Sequence, residues 1–177
     1  MGNRSGKVIA ACASESGGVP KQPLDRVTLT AQGVEGDWHA GRTRTSKSKG
    51  RVVPNDRQIS VVAKEVLDSV GETLQIEVGP GGFAENFLVG GIGDLADLEA
   101  GDLIRLGSDA VIEVSAQNPP CSKINVHHPD IARLVAGRRG IVGVVRKPGD
   151  VRPGDAVIVE KASQASRGEA ASEAGNQ

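Results

Sequence analysis

The residues best suited to chemistry in this 177-residue sequence lie in the stretch Asn118-Pro119-Pro120-Cys121-Ser122-Lys123. Two consecutive prolines fix φ and remove two backbone donors, so Cys121 is expected at the end of a stiff, extended segment rather than inside a helix. Lys123 adds a positive charge that favours the thiolate, the form of cysteine that attacks electrophiles and binds soft metals. Taken alone, the stretch favours a half-buried structural cysteine, because free cysteine often behaves as a small apolar side chain.

The three histidines of the chain offer partners for this thiol. Cys121 with His127 or His128 would form a Cys–His pair for nucleophilic catalysis, although the sequence identifies no third group to orient the histidine. Cys121 and His39 with either later histidine are suitable zinc ligands, but the paired Cys-x-x-Cys or His-x-x-x-His spacing of zinc sites is missing. Both alternatives are therefore weakly supported by the sequence.

Glycines and arginines suggest an anion-binding pocket instead. The segment 33–41 places three glycines around the only tryptophan and includes Asp37 and His39. It is either a ligand wall or, as the segment alone favours, a glycine-rich turn whose Trp38 covers the core. A P-loop is excluded because its Lys-Ser/Thr pair and strand–helix alternation are missing. The remaining possibility is a soft metal on the thiolate whose organic part carries a phosphate held by arginines 57, 138 and 139.

Composition excludes several classes of protein. With two Phe, one Trp and no Tyr, the chain lacks a stacking platform for bare nucleic-acid bases, and its formal charge of −1 attracts neither nucleic acid nor membrane. Two cysteines cannot build a disulfide framework, so a reducing, cytoplasmic location is expected. We find no apolar window of the roughly 18 residues that a spanning helix needs, and expect an untargeted protein with neither membrane nor nucleic-acid partners.

Short valine-rich runs and glycine turns predict a mainly β protein with a few short helices, organised as a closed or nearly closed antiparallel barrel. Residues 97–106 and 150–159 match in register as two Gly-Asp turns that each lead into a strand. The basic run 42–51 predicts a loop, residues 63–70 a helix stopped by Gly71, and residues 83–89 a strand. We expect one domain over residues 1–162 and a disordered tail over residues 163–177.

Six motifs, taken in order, resemble the MOSC domain family, the type of domain found at the C-terminus of molybdenum cofactor sulfurases, in its small stand-alone bacterial form. Together they span roughly residues 7–160, which is nearly all of the predicted domain. The motifs are residues 33–41, Arg57-Gln58-Ile59-Ser60, Phe83-Ala84-Glu85-Asn86, Leu98-Glu99-Ala100-Gly101-Asp102, Pro120-Cys121 and Gly137-Arg138-Arg139-Gly140.

The resemblance implies a barrel-like fold that binds the molybdenum cofactor, molybdopterin, with Cys121 as the catalytic residue and the protein ligand to molybdenum. Members of the wider family either reduce N-hydroxylated compounds, with electrons from a separate flavin or iron-sulfur protein, or have been proposed to carry sulfur on the cysteine. The expected function is the molybdenum-dependent reductase, and a sulfur carrier using a Cys121 persulfide is the alternative. By motif position, the residues implied to contact the cofactor are Asp37, His39, Arg57, Asn86, Lys123, Arg138 and Arg139.

The chain departs from the family pattern at several positions. The family usually has glycine where Ala84 stands and threonine where Leu88 stands, and a basic residue often precedes the Pro-Cys pair, where this chain has Gln117-Asn118. We also find no aminotransferase-like sulfurase domain in the sequence. A sulfur-carrying function would therefore need a separate donor of the cysteine-desulfurase type.

Overall fold

The computed structural model describes residues 4–163, so the predicted tail lies outside the described residues apart from Ser163. Most of this range is β-structure. The strands are β1 (Arg4–Ala13), β2 (Gln22–Leu24), β3 (Val27–Thr30), β4 (Gly33–Val34), β5 (Thr43–Ser46), β6 (Arg51–Pro54), β7 (Ile59–Ala63), β8 (Phe87–Gly90), β9 (Leu103–Leu106), β10 (Ala110–Gln117), β11 (Ile141–Lys147), β12 (Gly149–Val151) and β13 (Ala156–Glu160). The helices are α1 (Lys64–Leu74), α2 (Ile131–Leu134) and a 3₁₀ helix at Ser122–Val126.

Seven strands close into a barrel in the order β13-β9-β10-β11-β7-β8-β1, with β13 pairing back onto β1 and β2 attached outside the ring to β1. Closure uses the turn motif that occurs twice in the sequence. The two strands after the Gly-Asp turns, β9 and β13, pair antiparallel, with Ile104 opposite Val159 and Leu106 opposite Val157. All four side chains are buried, so both copies of the motif supply the aliphatic core. The predicted closed barrel is confirmed.

One pair of barrel strands departs from the predicted antiparallel pattern, because β7 and β8 are parallel. Parallel neighbours need a crossover connection, and α1 supplies it. The helix buries Val66, Leu67 and Val70. The helix does not stop at Gly71 as predicted. Its last residue is Leu74, and its C-cap is Gln75, whose φ of 54° is left-handed. Gly71 instead lets the chain return closely, since a Cβ there would lie 2.9 Å from the Ile76 carbonyl oxygen.

Two further predictions from the sequence are wrong. The basic run 42–51 is not a loop: β5 and β6 pair as an antiparallel hairpin that forms a sheet of its own. The predicted strand over residues 83–89 begins only at Phe87, because the preceding residues form a turn. A third sheet contains β12, β3 and β4. Among residues 4–163, no helix has the length and apolar character needed to cross a membrane.

Candidate functional site

The Cys121 thiol stands at the end of β10, between two structured segments. Before it, the Asn118 amide donates to the Gly140 carbonyl at 2.8 Å. After it, the 3₁₀ helix begins with the Ile124 amide donating to the Cys121 carbonyl at 3.2 Å, and Ile124 is fully buried. Cys121 has extended backbone angles, φ −137° and ψ 134°, which confirms the extended conformation predicted from the prolines. The cysteine is half-exposed and free.

Arg139 anchors the loop that carries the thiol. Its side chain is only 8% exposed, and its two terminal nitrogens donate to backbone carbonyls, Nη1 to Pro119 at 2.8 Å and Nη2 to Phe83 at 3.1 Å. The third donor, Nε, is buried and has no hydrogen-bond partner among the described residues. Burial lowers the pKa of Arg139, and the nearby Cys121 thiolate opposes that shift. The guanidinium therefore keeps one unused donor on the loop that carries Cys121.

Arg57 supplies a second guanidinium beside the same loop. Its Nη2 lies 3.4 Å from the Asn118 Oδ1, at the long end of hydrogen-bond distances. Burial also lowers the pKa of Arg57, the charge of Arg44 adds to the lowering, and Asp56 and the Cys121 thiolate oppose it. Arg57, Asn118, Cys121 and Arg139 are called the Cys121 cluster below. The cluster therefore places two guanidinium groups on the loop that carries the thiol.

A cavity of about 330 Å³ opens beside this cluster. It is lined by Arg44, Asp56, Arg57, Ala116, Gln117, Pro119 and Val142. A larger groove of about 540 Å³ lies along the C-terminal half of α1, from Leu67 to Val78, and contains none of the predicted site residues. We therefore place the candidate site at the smaller cavity.

Four ionisable side chains form a second, buried group, called the Lys21 cluster: Cys12, Lys21, Asp37 and Glu85. Lys21 is 1% exposed, and its Nζ lies 2.9 Å from the Asp37 Oδ2. Burial opposes ionisation of Asp37, but hydrogen bonds from His39 and Lys21 and the charge of Lys21 hold its pKa well below the usual range. Asp37 is therefore a partner of Lys21 inside the protein, where a ligand does not reach it.

The other members of the Lys21 cluster are equally enclosed. The Glu85 carboxylate accepts the Gly81 and Phe83 amides at 2.6 and 2.9 Å, and burial raises its pKa. Burial, with a smaller contribution from Glu85, raises the pKa of the Cys12 thiol to about 12. Cys12 is 0% exposed, as predicted from the strand pattern.

Asn86, which the resemblance placed at the pterin, forms hydrogen bonds between strands. Its Oδ1 accepts the Ser60 amide at 3.1 Å, and its Nδ2 donates to the Cys12 carbonyl at 3.2 Å. These bonds connect β7 with β1 just before β8 begins. At 1% exposure the amide has no free face for a ligand.

The remaining predicted residues are dispersed. Arg138 points toward α1, donating to the Leu134 carbonyl and the Ser69 hydroxyl, each at 3.3 Å. Lys123 is exposed. His127 contacts the Gly82 carbonyl at 2.9 Å, and His128 accepts the Asp130 amide.

The zinc alternative is wrong for the part of the chain that the structure describes, since no three His, Cys, Asp or Glu side chains there gather as metal ligands.

Trp38 does not cover the core, contrary to the interpretation that its segment alone favoured. It is 65% exposed, and its ring packs on Gly17, where a Cβ would lie 3.1 Å from the ring. The Trp38 amide donates to the Ser14 carbonyl at 2.8 Å. His39, whose Nδ1 lies 3.4 Å from Asp37, is also half-exposed on this surface.

Comparison with known proteins agrees with this architecture. The MOSC domain family matches residues 35–158. The chain belongs to the MOSC domain family. A Bacillus subtilis relative described as "Putative metal-sulfur cluster biosynthesis proteins YuaD" is 31% identical over 80% of this chain and 82% of its own length. Similar MOSC structures extend the comparison to the fold.

The crystal structure of the Bacillus subtilis YuaD protein matches with a TM-score of 0.83 and 26% identity, over 92% of this chain and 99% of that one. YiiM from Escherichia coli matches with a TM-score of 0.59 and 26% identity, over 89% of this chain and 70% of that one. YiiM from Geobacillus stearothermophilus, at 21% identity and a TM-score of 0.65 over 88% of this chain and 75% of that one, is similar in fold.

The MOSC motif Phe83-Ala84-Glu85-Asn86 connects the two clusters. Glu85 belongs to the Lys21 cluster, while the Phe83 carbonyl accepts from Arg139 of the Cys121 cluster. Ala84 has a left-handed φ of 62°, which explains why glycine is usual at this position in the family. The signal for Glu85 was already in the sequence, as one of two adjacent polar residues in an apolar run. No local signal marked Lys21.

Proposed function

We propose that Cys121 is a sulfur-carrier thiol that accepts a sulfane sulfur as a persulfide and delivers it to a metal centre or cofactor. The observation that carries the proposal is the setting of the thiol: half-exposed, on a loop held by hydrogen bonds on both sides, with the guanidinium groups of Arg57 and Arg139 in contact with Asn118 and Pro119 of that loop. A carrier must present its sulfur to two partners in turn, and an exposed thiol on a fixed backbone permits this.

The transfer step is balanced without an oxidant. The Cys121 thiolate attacks the terminal sulfur of a persulfide on a donor protein of the cysteine-desulfurase type. A new S–S bond forms on Cys121, the donor's S–S bond breaks, and the donor leaves as a thiolate. In delivery, an acceptor thiolate attacks the outer sulfur of the Cys121 persulfide, a new S–S bond forms on the acceptor, and Cys121 leaves as a thiolate. A thiol reductant then supplies the two electrons that convert this sulfur to the sulfide of a metal centre or cofactor. The entering thiolate and the product persulfide are both anions, so Arg57 and Arg139 stabilise the sulfur throughout.

The residues around the thiol indicate that a separate protein must donate the sulfur. His127 and His128, the nearest histidines in the sequence, are engaged with backbone groups. Abstracting sulfur from free cysteine requires carbon–sulfur bond cleavage, for which the Cys121 cluster offers only a thiol, an amide and two cations. The name of the Bacillus subtilis YuaD relative, which refers to metal-sulfur cluster biosynthesis, agrees with sulfur delivery.

The cavity beside Arg57 favours a second candidate, a molybdenum-cofactor protein that reduces N-hydroxylated compounds. The donor set fits one part of the cofactor: the Cys121 thiolate is a soft ligand suited to molybdenum, and Arg44 and Arg57 line a space of about 330 Å³ for anionic groups. When bound, the cofactor would supply electron transfer, with electrons from a separate flavin or iron-sulfur protein. Asp37 and Asn86 do not extend this fit, because each is held inside the protein.

The two candidate functions predict different groups on the purified protein: a persulfide on Cys121 for the sulfur carrier, and molybdenum with pterin for the reductase. Incubation with a cysteine desulfurase and ³⁵S-labelled cysteine should transfer ³⁵S to Cys121 of the wild-type protein and of the Cys12→Ser variant. Mass spectrometry should show a gain of one sulfur atom at Cys121 in both. The Cys121→Ser variant should stay unlabelled. In protein made in a host able to synthesise the molybdenum cofactor, we expect neither molybdenum nor pterin fluorescence.

Stoichiometric molybdenum and pterin that need Cys121, without a persulfide, would replace the carrier proposal with the cofactor-binding one. Unchanged labelling of Cys121→Ser would exclude Cys121 as the carrier.

A further inference from the structure

The β5–β6 hairpin stands out by its unpaired positive charge. Arg42, Arg44, Lys47, Lys49 and Arg51 lie within it or at its ends, with no acidic residue in the run 42–51. Only Arg44 has a carboxylate partner among the described residues, its Nε lying 2.6 Å from Asp56. Within residues 4–163, the other four cations of this small element therefore have no carboxylate partner.

Several basic residues elsewhere on the barrel, unlike those of the hairpin, form ion pairs with carboxylates. Arg105 pairs with Glu160 and Arg146 with Glu113 on neighbouring strands, and Lys147 pairs with Asp109 in the turn before β10. Such exposed pairs contribute little to stability, but they neutralise the surface locally. Because the formal charge of the chain is −1, the charge of the hairpin is a local feature.

The β5–β6 hairpin contributes almost no buried side chains to the core, so a role in core packing does not explain its presence. β5 and β6 pair with each other and with no other strand. Along them only Ser46 is buried, and Val52 is 64% exposed. An isolated two-stranded hairpin is marginally stable in water, and this one is held mainly at its base, where the Asn55 Nδ2 donates to the carbonyls of His39 and Gly41 at 2.8 and 3.1 Å. The same bonds place the exposed Trp38 segment beside the hairpin.

The hairpin also borders the candidate site. Arg44, at its base, lines the cavity together with Arg57 and Pro119, two residues before Cys121. A macromolecule bound to the hairpin would therefore cover the mouth of the cavity and approach the thiol.

We infer that the β5–β6 hairpin and Trp38 form the docking surface for an acidic face of the protein that donates sulfur to Cys121. The inference rests on the proposed function. Charge complementarity identifies the partner as acidic, and tryptophan and arginine are residue types enriched at protein interfaces. A nucleic acid is less well matched, since Trp38 is the only tryptophan, the described residues include no tyrosine, and both phenylalanines are buried.

Binding can be measured without any sulfur chemistry, because Trp38 is an intrinsic fluorescent reporter on the proposed surface. The probe is a 20-residue polyglutamate peptide, roughly the size of an acidic interface segment. We expect salt-sensitive binding that weakens about tenfold or more in the double variant Lys47→Glu/Lys49→Glu. The control variant Lys7→Glu/Arg152→Glu makes the same charge change at two exposed residues that form no side-chain ion pair within residues 4–163, and should bind like wild type.

The functional arm compares two sulfur sources. Transfer of ³⁵S from a cysteine desulfurase to Cys121 should slow about tenfold in Lys47→Glu/Lys49→Glu but not in Lys7→Glu/Arg152→Glu. Transfer from glutathione persulfide should be the same in all three proteins. If neither source labels wild-type Cys121 but the peptide still binds at the hairpin, the proposed function fails while the acidic preference of the hairpin stands.

Equal peptide binding, or equal desulfurase rates, in the two double variants would overturn the inference. Tighter binding of a 20-nucleotide single-stranded RNA than of the peptide, lost in Lys47→Glu/Lys49→Glu, would assign the hairpin to nucleic acid instead. Circular dichroism of both variants establishes that the barrel is intact.

Discussion

The two cysteines of this chain occupy opposite environments. Cys12, on β1, is fully buried in the protein interior, where burial and the Glu85 carboxylate disfavour its thiolate. Cys121 is half-exposed, and the guanidinium groups of Arg57 and Arg139 contact Asn118 and Pro119 of its own loop. The comparison shows that the sign of the neighbouring charge and access to water decide what a thiol can do.

The largest expected difference is in alkylation. With a pKa of about 12, only about one Cys12 thiol in ten thousand is ionised at pH 8, and the native barrel blocks access. Iodoacetamide should modify Cys121 at least about 100-fold faster. Mass spectrometry of the native protein, with Cys121→Ser and Cys12→Ser as controls, measures the ratio. Faster labelling at Cys12 would mean that Cys121 is the structural thiol.

The buried ion pair near Cys12 should dominate stability. Lys21→Met leaves the Asp37 carboxylate in the interior without its cation, which we expect to cost about 3–5 kcal/mol of unfolding free energy. Urea denaturation measures the loss. The alkylation rate of Cys121 should not change, because Lys21 belongs to the other cluster. A fall in that rate would show that the two clusters are coupled.

The same pair predicts a pH dependence. Because the folded-state pKa of Asp37 is lowered, its stabilisation is fully present above the ordinary value of about 4 and is lost as pH falls through the folded-state pKa. Glu85 acts in the opposite sense, since its raised pKa destabilises the fold once pH rises above its ordinary value. Asp37→Asn should remove the acid-side loss, measured as melting temperature between pH 2 and pH 7. An unchanged acid profile would contradict the assignment.

Arg139 and Arg138 test the comparison at adjacent positions. Arg139→Lys replaces a planar fork with one ammonium and leaves the Phe83 or Pro119 carbonyl unpaired, at a cost of about 1–3 kcal/mol. The loop should loosen and alkylation of Cys121 should slow several-fold. Arg138→Lys is the matched control, since Arg138 contacts Leu134 and Ser69, and should leave the thiol unaffected. Equal effects would show that the rate reports charge alone.

The smallest expected effect lies in the motif between the clusters. Ala84 adopts a left-handed φ of 62°, so Ala84→Gly should raise the unfolding free energy by up to about 1 kcal/mol. Gly81→Ala, in the same turn, is the opposite control: its new Cβ would lie 2.0 Å from the Lys21 carbonyl oxygen, and the variant should be destabilised. Thermal denaturation measures both. A destabilised Ala84→Gly would contradict the strain argument.

The sequence predicted the barrel well because its signals are local. Alternating aliphatic residues and Gly-Asp turns specify strands and their ends, and Cys12 lies on an inward face for the same reason. The helix end at Gln75 and the basic hairpin were missed, since α1 continued through a glycine and the hairpin buries almost nothing.

The site was only partly predictable from sequence. The prolines before Cys121 fixed an extended loop, as expected. Whether Arg138 or Arg139 faces the thiol depends on how the turn after α2 meets the Phe83 carbonyl, a contact between residues far apart in sequence. Lys21 gave no signal because its partner, Asp37, comes from another loop.

The closure between β1 and β13 also sets the order in which the protein can be completed during synthesis. Arg4 pairs with Val159, so nearly the whole described chain must leave the ribosome before the first strand gains its last neighbour. Until then one edge of β1 and one of β9 stay unpaired, open to other chains. A chain terminated before Ala156 would lack β13 and leave unpaired edges on β1 and β9. Pairing of β13 with both strands therefore protects the barrel from aggregation.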